Sequence, residues 1–149
     1  MLFTFRAVTE ADYLWLWELK RTTMRPYVEQ TWGTWDDEAQ ERFFRQHFTP
    51  ATIQIIVVDG RDAGLLHIEP EQDALFLANL QIHPGCQGRG VGSAVVNTVL
   101  ASAHALQRPV RLQVLKVNVR ARDLYARLGF RVYGDTLTHT LMRAEHSAR

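Results

Sequence analysis

One cysteine, Cys86, stands in a chain of 149 residues, so no intrachain disulfide can staple the fold. Cysteine this scarce fits a reducing compartment. An excess of either charge is also missing: 17 basic residues face 16 acidic ones, leaving a formal net charge of +1. That balance gives no global field to hold nucleic acid or an anionic membrane. No apolar run approaches the roughly 18 residues of a membrane span. The start, Met1-Leu2-Phe3-Thr4-Phe5-Arg6, has no basic segment leading into an apolar signal core. Internal repeats and linkers rich in Gly, Ser or Pro are missing too. The six histidines show no paired ligand spacing with Cys86, so no metal is expected. Cys86 has no neighbouring base to mark it as an activated nucleophile. From these absences the expectation is one cytoplasmic domain over residues 1–149, monomeric or homodimeric, with no nucleic-acid or membrane partner.

What is present is a patterned globular chain, 46% hydrophobic, long enough to bury about two-thirds of its unfolded surface. Phe3, Phe5 and Ala7 alternate with Thr4 and Arg6, the period of a strand. Thr9-Glu10-Ala11-Asp12 then reads as a helix start, and Arg25-Pro26 as the break that follows. A second helix is expected from Thr34-Trp35-Asp36-Asp37 to about His47. Ile53 to Val58, Gly64 to Glu69 and Leu75 to Ile82 read as a strand meander, with Asp59-Gly60 as a hairpin turn. A long helix carries Val91, Ala94, Val95, Thr98, Val99, Ser102 and Leu106 at spacings of three and four. Val110 to Val117 is a strand, Val119 to Leu128 a short helix ended by Gly129, and Phe130 to Tyr133 and Leu137 to Arg143 are closing strands. The order β-α-α-β-β-β-α-β-α-β-β is α+β, with a mixed sheet. The step from Leu75 through Val117 is expected to be a parallel crossover.

The chemistry concentrates where the third of the meander strands ends. Leu80-Gln81-Ile82-His83-Pro84-Gly85-Cys86-Gln87-Gly88-Arg89-Gly90-Val91-Gly92-Ser93 places a glycine-rich turn directly before a helix. Backbone N–H groups and a helix N-terminus converge there, and the missing Cβ atoms admit phosphate oxygens. The turn has no lysine after its glycines, unlike a P-loop. Its Gly-x-Gly-x-Gly spacing also differs from a dinucleotide fingerprint. Further on, Asn118 suits a helix cap, a ligand contact, or both. By spacing alone Tyr125 fits the apolar stripe of Ala121, Leu124 and Leu128.

Gln87-x-x-Gly90-x-Gly92, straight after Leu80-x-Ile82-x-Pro84, resembles the acetyl-CoA loop of the GNAT superfamily of N-acetyltransferases. Asn118-x-x-Ala121-x-x-x-Tyr125-x-x-x-Gly129-Phe130 resembles that superfamily's second signature. The resemblance implies a mostly antiparallel central sheet with a V-shaped splay between strands 4 and 5, flanked by helices. It implies an acetyl-CoA-dependent N-acetyltransferase, with direct attack by a primary amine of a small molecule or an exposed peptide. Acetyl-CoA would lie on Leu80, Gln81, Ile82, Gln87, Gly88, Arg89, Gly90, Val91, Gly92, Ser93, Asn118, Ala121 and Tyr125. Tyr125 would be the general acid. Some family members carry a glutamate near the start of strand 4, where this sequence has Phe76. That leaves Glu69 as a possible base, with His67 beside it and Glu29 further off. The stretch Arg25 to Trp35, expected as a loop, is where the family builds its acceptor pocket. Tyr27, Glu29, Trp32 and Trp35 are the candidates there, although the aromatics would serve equally to pin a loop to the core. A non-catalytic acyl-CoA-binding or regulatory domain of the same fold is the alternative.

Overall fold

The computed structural model describes residues 2–146. Seven strands and four helices follow the expected order: β1 (Phe3–Ala7), α1 (Tyr13–Trp32), α2 (Asp37–Gln46), β2 (Ile53–Val58), β3 (Arg61–Pro70), β4 (Leu75–Ile82), α3 (Val91–Ala105), β5 (Val110–Leu115), α4 (Val119–Arg127), β6 (Arg131–Asp135) and β7 (His139–Ala144). Two short 3-10 turns, Glu10–Asp12 and Pro84–Cys86, add to the expected elements. The strands form one sheet in the order β1-β2-β3-β4-β5-β7-β6. β4 and β5 are parallel, while β1–β2, β2–β3, β5–β7 and β6–β7 are antiparallel. The β4–β5 register runs only from Leu75↔Val110 to Leu77↔Leu112, although β4 continues to Ile82 and β5 to Leu115. A ladder ending that early is what the expected splay requires.

One expectation is corrected. The chain does not break at Arg25-Pro26: α1 runs through Pro26 to Trp32 and stops at Gly33, whose φ of 89° makes a left-handed C-cap. A helix-interior proline costs about 3 kcal/mol. Burial on both sides of it offsets that, with Leu16, Trp17 and Leu19 before Pro26 and Val28 after it. The region from Arg25 to Trp32 is therefore helix, and only Gly33 to Asp36 connects it to α2. Smaller shifts are β3 opening at Arg61 rather than Gly64, and β7 opening at His139 rather than Leu137.

The chain forms two compact units. The first takes Met1–His67 and Asn79–Arg89. Its core joins Leu16, Trp17, Leu19, Val28, Trp35 and Phe44 from the α1–α2 region to Ile53 and Ile55 of β2 and Leu65 of β3. The second takes Ile68–Ala78 and Gly90–Arg149. There Val91, Val95, Val96, Val99 and Ala103 of α3 are buried, as are Val110, Leu112 and Val114 of β5 and Met142 and Ala144 of β7.

Candidate active site

β4 ends in a turn held by its own side chains. His83 Nδ1 accepts from Gly85 N at 3.0 Å, and Gln87 Nε2 donates to Ile82 O at 2.8 Å. Gly88 and Gly90 follow with φ of 78° and 79°, left-handed values that a side chain resists. Gly90 is also the N-cap of α3. The first backbone bond into that cap runs from Ala94 N to Gly90 O, so the amides of Val91, Gly92 and Ser93 lie ahead of any intrahelical acceptor. No acidic side chain occupies the first turn, and the positive end of the helix dipole is left uncompensated. Gln87 to Gly90 are exposed, while Val91 is anchored in the core. A Cβ added at Gly92 would meet only Leu124 Cδ2, at an ordinary 3.5 Å. Nothing among the described residues demands glycine there, whereas close approach of an anion would. Arg89 is engaged elsewhere: its Nη2 lies 3.0 Å from Asp59 Oδ2 in the β2–β3 turn. That guanidinium holds the Asp59 carboxyl below its ordinary range.

The second segment is one capped helix. Asn118 is the N-cap of α4, its side chain accepting from Ala121 N at 3.2 Å. At the other end Phe130 N bonds Tyr125 O at 3.0 Å and Gly129 N bonds Ala126 O at 3.2 Å, the paired bonds of a Schellman motif. Gly129, at φ 101°, makes that reversal possible. It brings Phe130 edge-on to Tyr125 with ring centroids 5.5 Å apart. Tyr125 is 8% exposed. Burial alone pushes its phenol up to about 12. Asn118, Gly129 and Phe130 thus fix the two ends of the helix that carries one protonated phenol.

The start of β4 carries no free carboxylate. The Arg111 guanidinium lies over the Phe76 ring at 4.2 Å. Arg111 is bonded to both oxygens of Glu71, with Nε to Oε1 at 2.6 Å. That pairing holds the Glu71 carboxyl below its usual range, which removes Glu71 as a base. Glu69 is exposed near the end of β3. His67 is buried, with Nε2 3.0 Å from Thr52 Oγ1. On β4, Leu80 and Ile82 are half-buried and Gln81 is buried.

The four acceptor candidates separate. Trp35 belongs to the core, stacked on Trp17 at 6.1 Å, and its indole donates to Asp37. Tyr27, Glu29 and Trp32 lie on the last turns of α1 rather than on a loop. Glu29 pairs with Arg25 at 3.6 Å, Tyr27 is half-buried, and Trp32 is 55% exposed. Among the described residues no cluster of three or more His, Cys, Asp or Glu is placed to hold a metal ion.

The sequence profile of the acetyltransferase (GNAT) family matches residues 13–130. The chain belongs to that family. No curated protein matches the sequence. Solved structures share the fold. A PaiA N-acetyltransferase from Thermoplasma acidophilum in complex with coenzyme A superposes with a TM-score of 0.76, at 16% identity over 97% of this chain and 99% of the other. An Escherichia coli ribosomal-protein alanine N-acetyltransferase gives 0.68, at 16% identity over 99% and 96% of the two chains. A chimera built on a Vibrio cholerae spermidine N-acetyltransferase gives 0.72, at 17% identity over 98% and 96%. In this GNAT chain the glycine turn and the capped α4 both fall on the segments that sequence reasoning singled out. Sequence reasoning missed the Glu71–Arg111–Phe76 group and the burial of the Gln81 side chain. Glu71 had a signal, as an acid in the turn just before β4. Gln81 had none.

Proposed function

We propose that the chain is one N-acetyltransferase domain that moves an acetyl group from acetyl-CoA to a primary amine of a small molecule or an exposed peptide. The observation that carries this reading is the uncompensated first turn of α3 behind two left-handed glycines, a cradle suited to a pyrophosphate. The backbone of Gln87, Gly88, Arg89, Gly90, Val91, Gly92 and Ser93 holds the phosphates, with the Arg89 side chain left to Asp59. Pantetheine runs along Leu80, Gln81 and Ile82 as an added strand, and a β4 amide there polarises the thioester carbonyl. Asn118 and Ala121 border the same ligand.

The reaction is direct attack in a ternary complex. The amine nitrogen forms a bond to the thioester carbon, the carbonyl oxygen takes the negative charge, and collapse of the adduct breaks the C–S bond. Tyr125 gives its proton to the departing thiolate, a transfer that its high pKa keeps available at neutral pH. Glu69, acting through water, takes the proton that the amine loses. Tyr27, Glu29 and Trp32 line the acceptor side, with Trp35 behind them. A second reading, a non-catalytic acyl-CoA-binding domain, has one observation in its favour: Phe76 and the locked Glu71 leave the start of β4 without a free base. Thiol release from acetyl-CoA across a panel of amines and free-amine peptides separates the two. Catalysis predicts release that depends on one class of amine. Binding of acetyl-CoA with no release from any acceptor supports the second reading.

A further inference from the structure

Two buried side-chain oxygens have no hydrogen-bond partner among the described residues, Gln81 Oε1 and Thr31 Oγ1. Both belong to the first compact unit. Strand alternation shows which way Gln81 faces. The pairs Ile55↔Leu65 and Ile53↔His67 share one face of β2 and β3. Ile53, Ile55 and Leu65 pack there with Leu16, Trp17, Leu19 and Val28 of α1. Gly64 lies on the opposite face, where a Cβ on it would meet Ile82 Cδ1 at 3.2 Å. Ile82 therefore points away from α1, and Gln81, its neighbour along β4, points toward it. Thr31 comes three residues after the buried Val28, on the same inner face of α1.

Gln81 is 3% exposed, and its Nε2 donates to Asn79 Oδ1 at 3.2 Å. Its carbonyl oxygen is buried and has no donor among the described residues. A buried acceptor left unmet is costly, and small domains carry few of them. We infer that Gln81 Oε1 is the group that receives an N–H of the acceptor amine, with Thr31 Oγ1 as a second polar contact on the same side. This rests on the amine-acetyltransferase reading and adds to it a specificity residue.

The chemistry favours an amide at this place over a carboxylate. A primary amine attacks only when neutral, and it then has two N–H bonds and one lone pair. A neutral carbonyl accepting one N–H orients the lone pair outward. A carboxylate in the same position would stabilise the ammonium and raise the pH needed for attack. Gln81 binds the amine without that penalty.

The test compares Gln81→Met and Gln81→Glu with the parent protein, using spermidine and a peptide with a free N-terminal alanine as acceptors. If Gln81 Oε1 is held for a substrate, Gln81→Met removes an unmet polar atom. Its melting temperature should then match or exceed that of the parent. Its kcat/KM for the amine should fall about tenfold, mostly through KM. Gln81→Glu should move the acid limb of the kcat/KM profile to higher pH. A Gln81→Met protein that fails to fold, or melts lower than an Asn79→Ala protein in which only the Gln81 Nε2 bond is lost, overturns the inference, because Gln81 Oε1 is then a satisfied structural acceptor. Unchanged kcat/KM overturns it as well. If the parent binds acetyl-CoA but acetylates neither amine, the acceptor part of the function fails separately, and the melting comparison alone decides Gln81.

Discussion

Lys20 is 8% exposed on α1, with Nζ 5.0 Å from the Phe43 ring centroid and 5.7 Å from that of Phe44. No carboxylate pairs with it among the described residues, and burial lowers its ammonium to about 8. The depression is from 10.5, so holding the charge at neutral pH costs about 3 kcal/mol. Cation–π contact with the two rings returns about 0.5–2 kcal/mol of that. Lys20→Met should therefore raise the melting temperature at pH 7, by an amount on the order of 1 kcal/mol or roughly 3 °C. The sign with pH follows from proton counting. Between about 8 and 10.5 the unfolded chain keeps a proton that the folded chain has released, so the parent gains stability as pH rises through that window. The advantage of Lys20→Met should shrink across the same window in melting curves. A constant advantage would mean that Lys20 is solvated in the folded state. Tyr125 carries the chemical prediction at this scale. Tyr125→Phe keeps the ring against Phe130 and removes only the hydroxyl. Turnover should drop on the order of 10²-fold, while acetyl-CoA affinity stays near the parent value. Near-parental turnover across the pH range would remove Tyr125 from the mechanism.

Helix α3 offers a test in which stability and binding move in opposite directions. Gly92 lies in its first turn with no left-handed φ, and a Cβ there meets only Leu124 at 3.5 Å. Gly92→Ala should thus keep or improve stability, by up to about 1 kcal/mol from helix propensity. If a phosphate comes close to the first-turn amides, a methyl group at Gly92 should crowd it, so acetyl-CoA binding should weaken roughly tenfold, or ~1.4 kcal/mol. Calorimetric titration beside a melting curve reads both. Parental affinity in a folded Gly92→Ala protein would count against a close backbone cradle. Gly90→Val is a poorer probe, because a φ of 79° strains valine whether or not a ligand binds. The two elements that flank this turn were legible from local pattern alone. β4 appeared within its true bounds, Leu75–Ile82, because turn residues bracket it, and α3 followed from its three-and-four spacing. Local pattern failed at α1, where Pro26 signals a break that the burial of Val28 overrides. It failed again at Gln81. Leu75, Leu77, Asn79 and Gln81 lie along one face of β4 and change from apolar to polar, which by itself reads as a strand end entering water. That Gln81 is nevertheless buried depends on packing between segments distant in sequence, which a local pattern does not carry.

For the molecule as a whole, charge balance sets the terms of ligand binding. With a net charge of +1 there is no long-range field to collect a polyanion, so binding rests on the local amides and dipole at the start of α3. A ligand held by native backbone geometry binds the folded chain and not the unfolded one, and it must raise the melting temperature by mass action. At a free concentration 100-fold above its dissociation constant, acetyl-CoA should add about 2.7 kcal/mol. For a chain of this length that is a rise of roughly 5–10 °C. Desulfo-CoA should keep most of the shift, because it retains every phosphate and lacks only the sulfur. Adenosine, which lacks phosphates altogether, should give little. The shift should weaken as salt rises, because an exposed cradle is screened. A shift for adenosine equal to that for CoA would place the recognition on the nucleoside instead of the phosphates. No shift with any CoA species at millimolar concentration would sink the acyl-CoA reading, and with it the phosphate cradle at the glycine turn and the proton transfer from Tyr125.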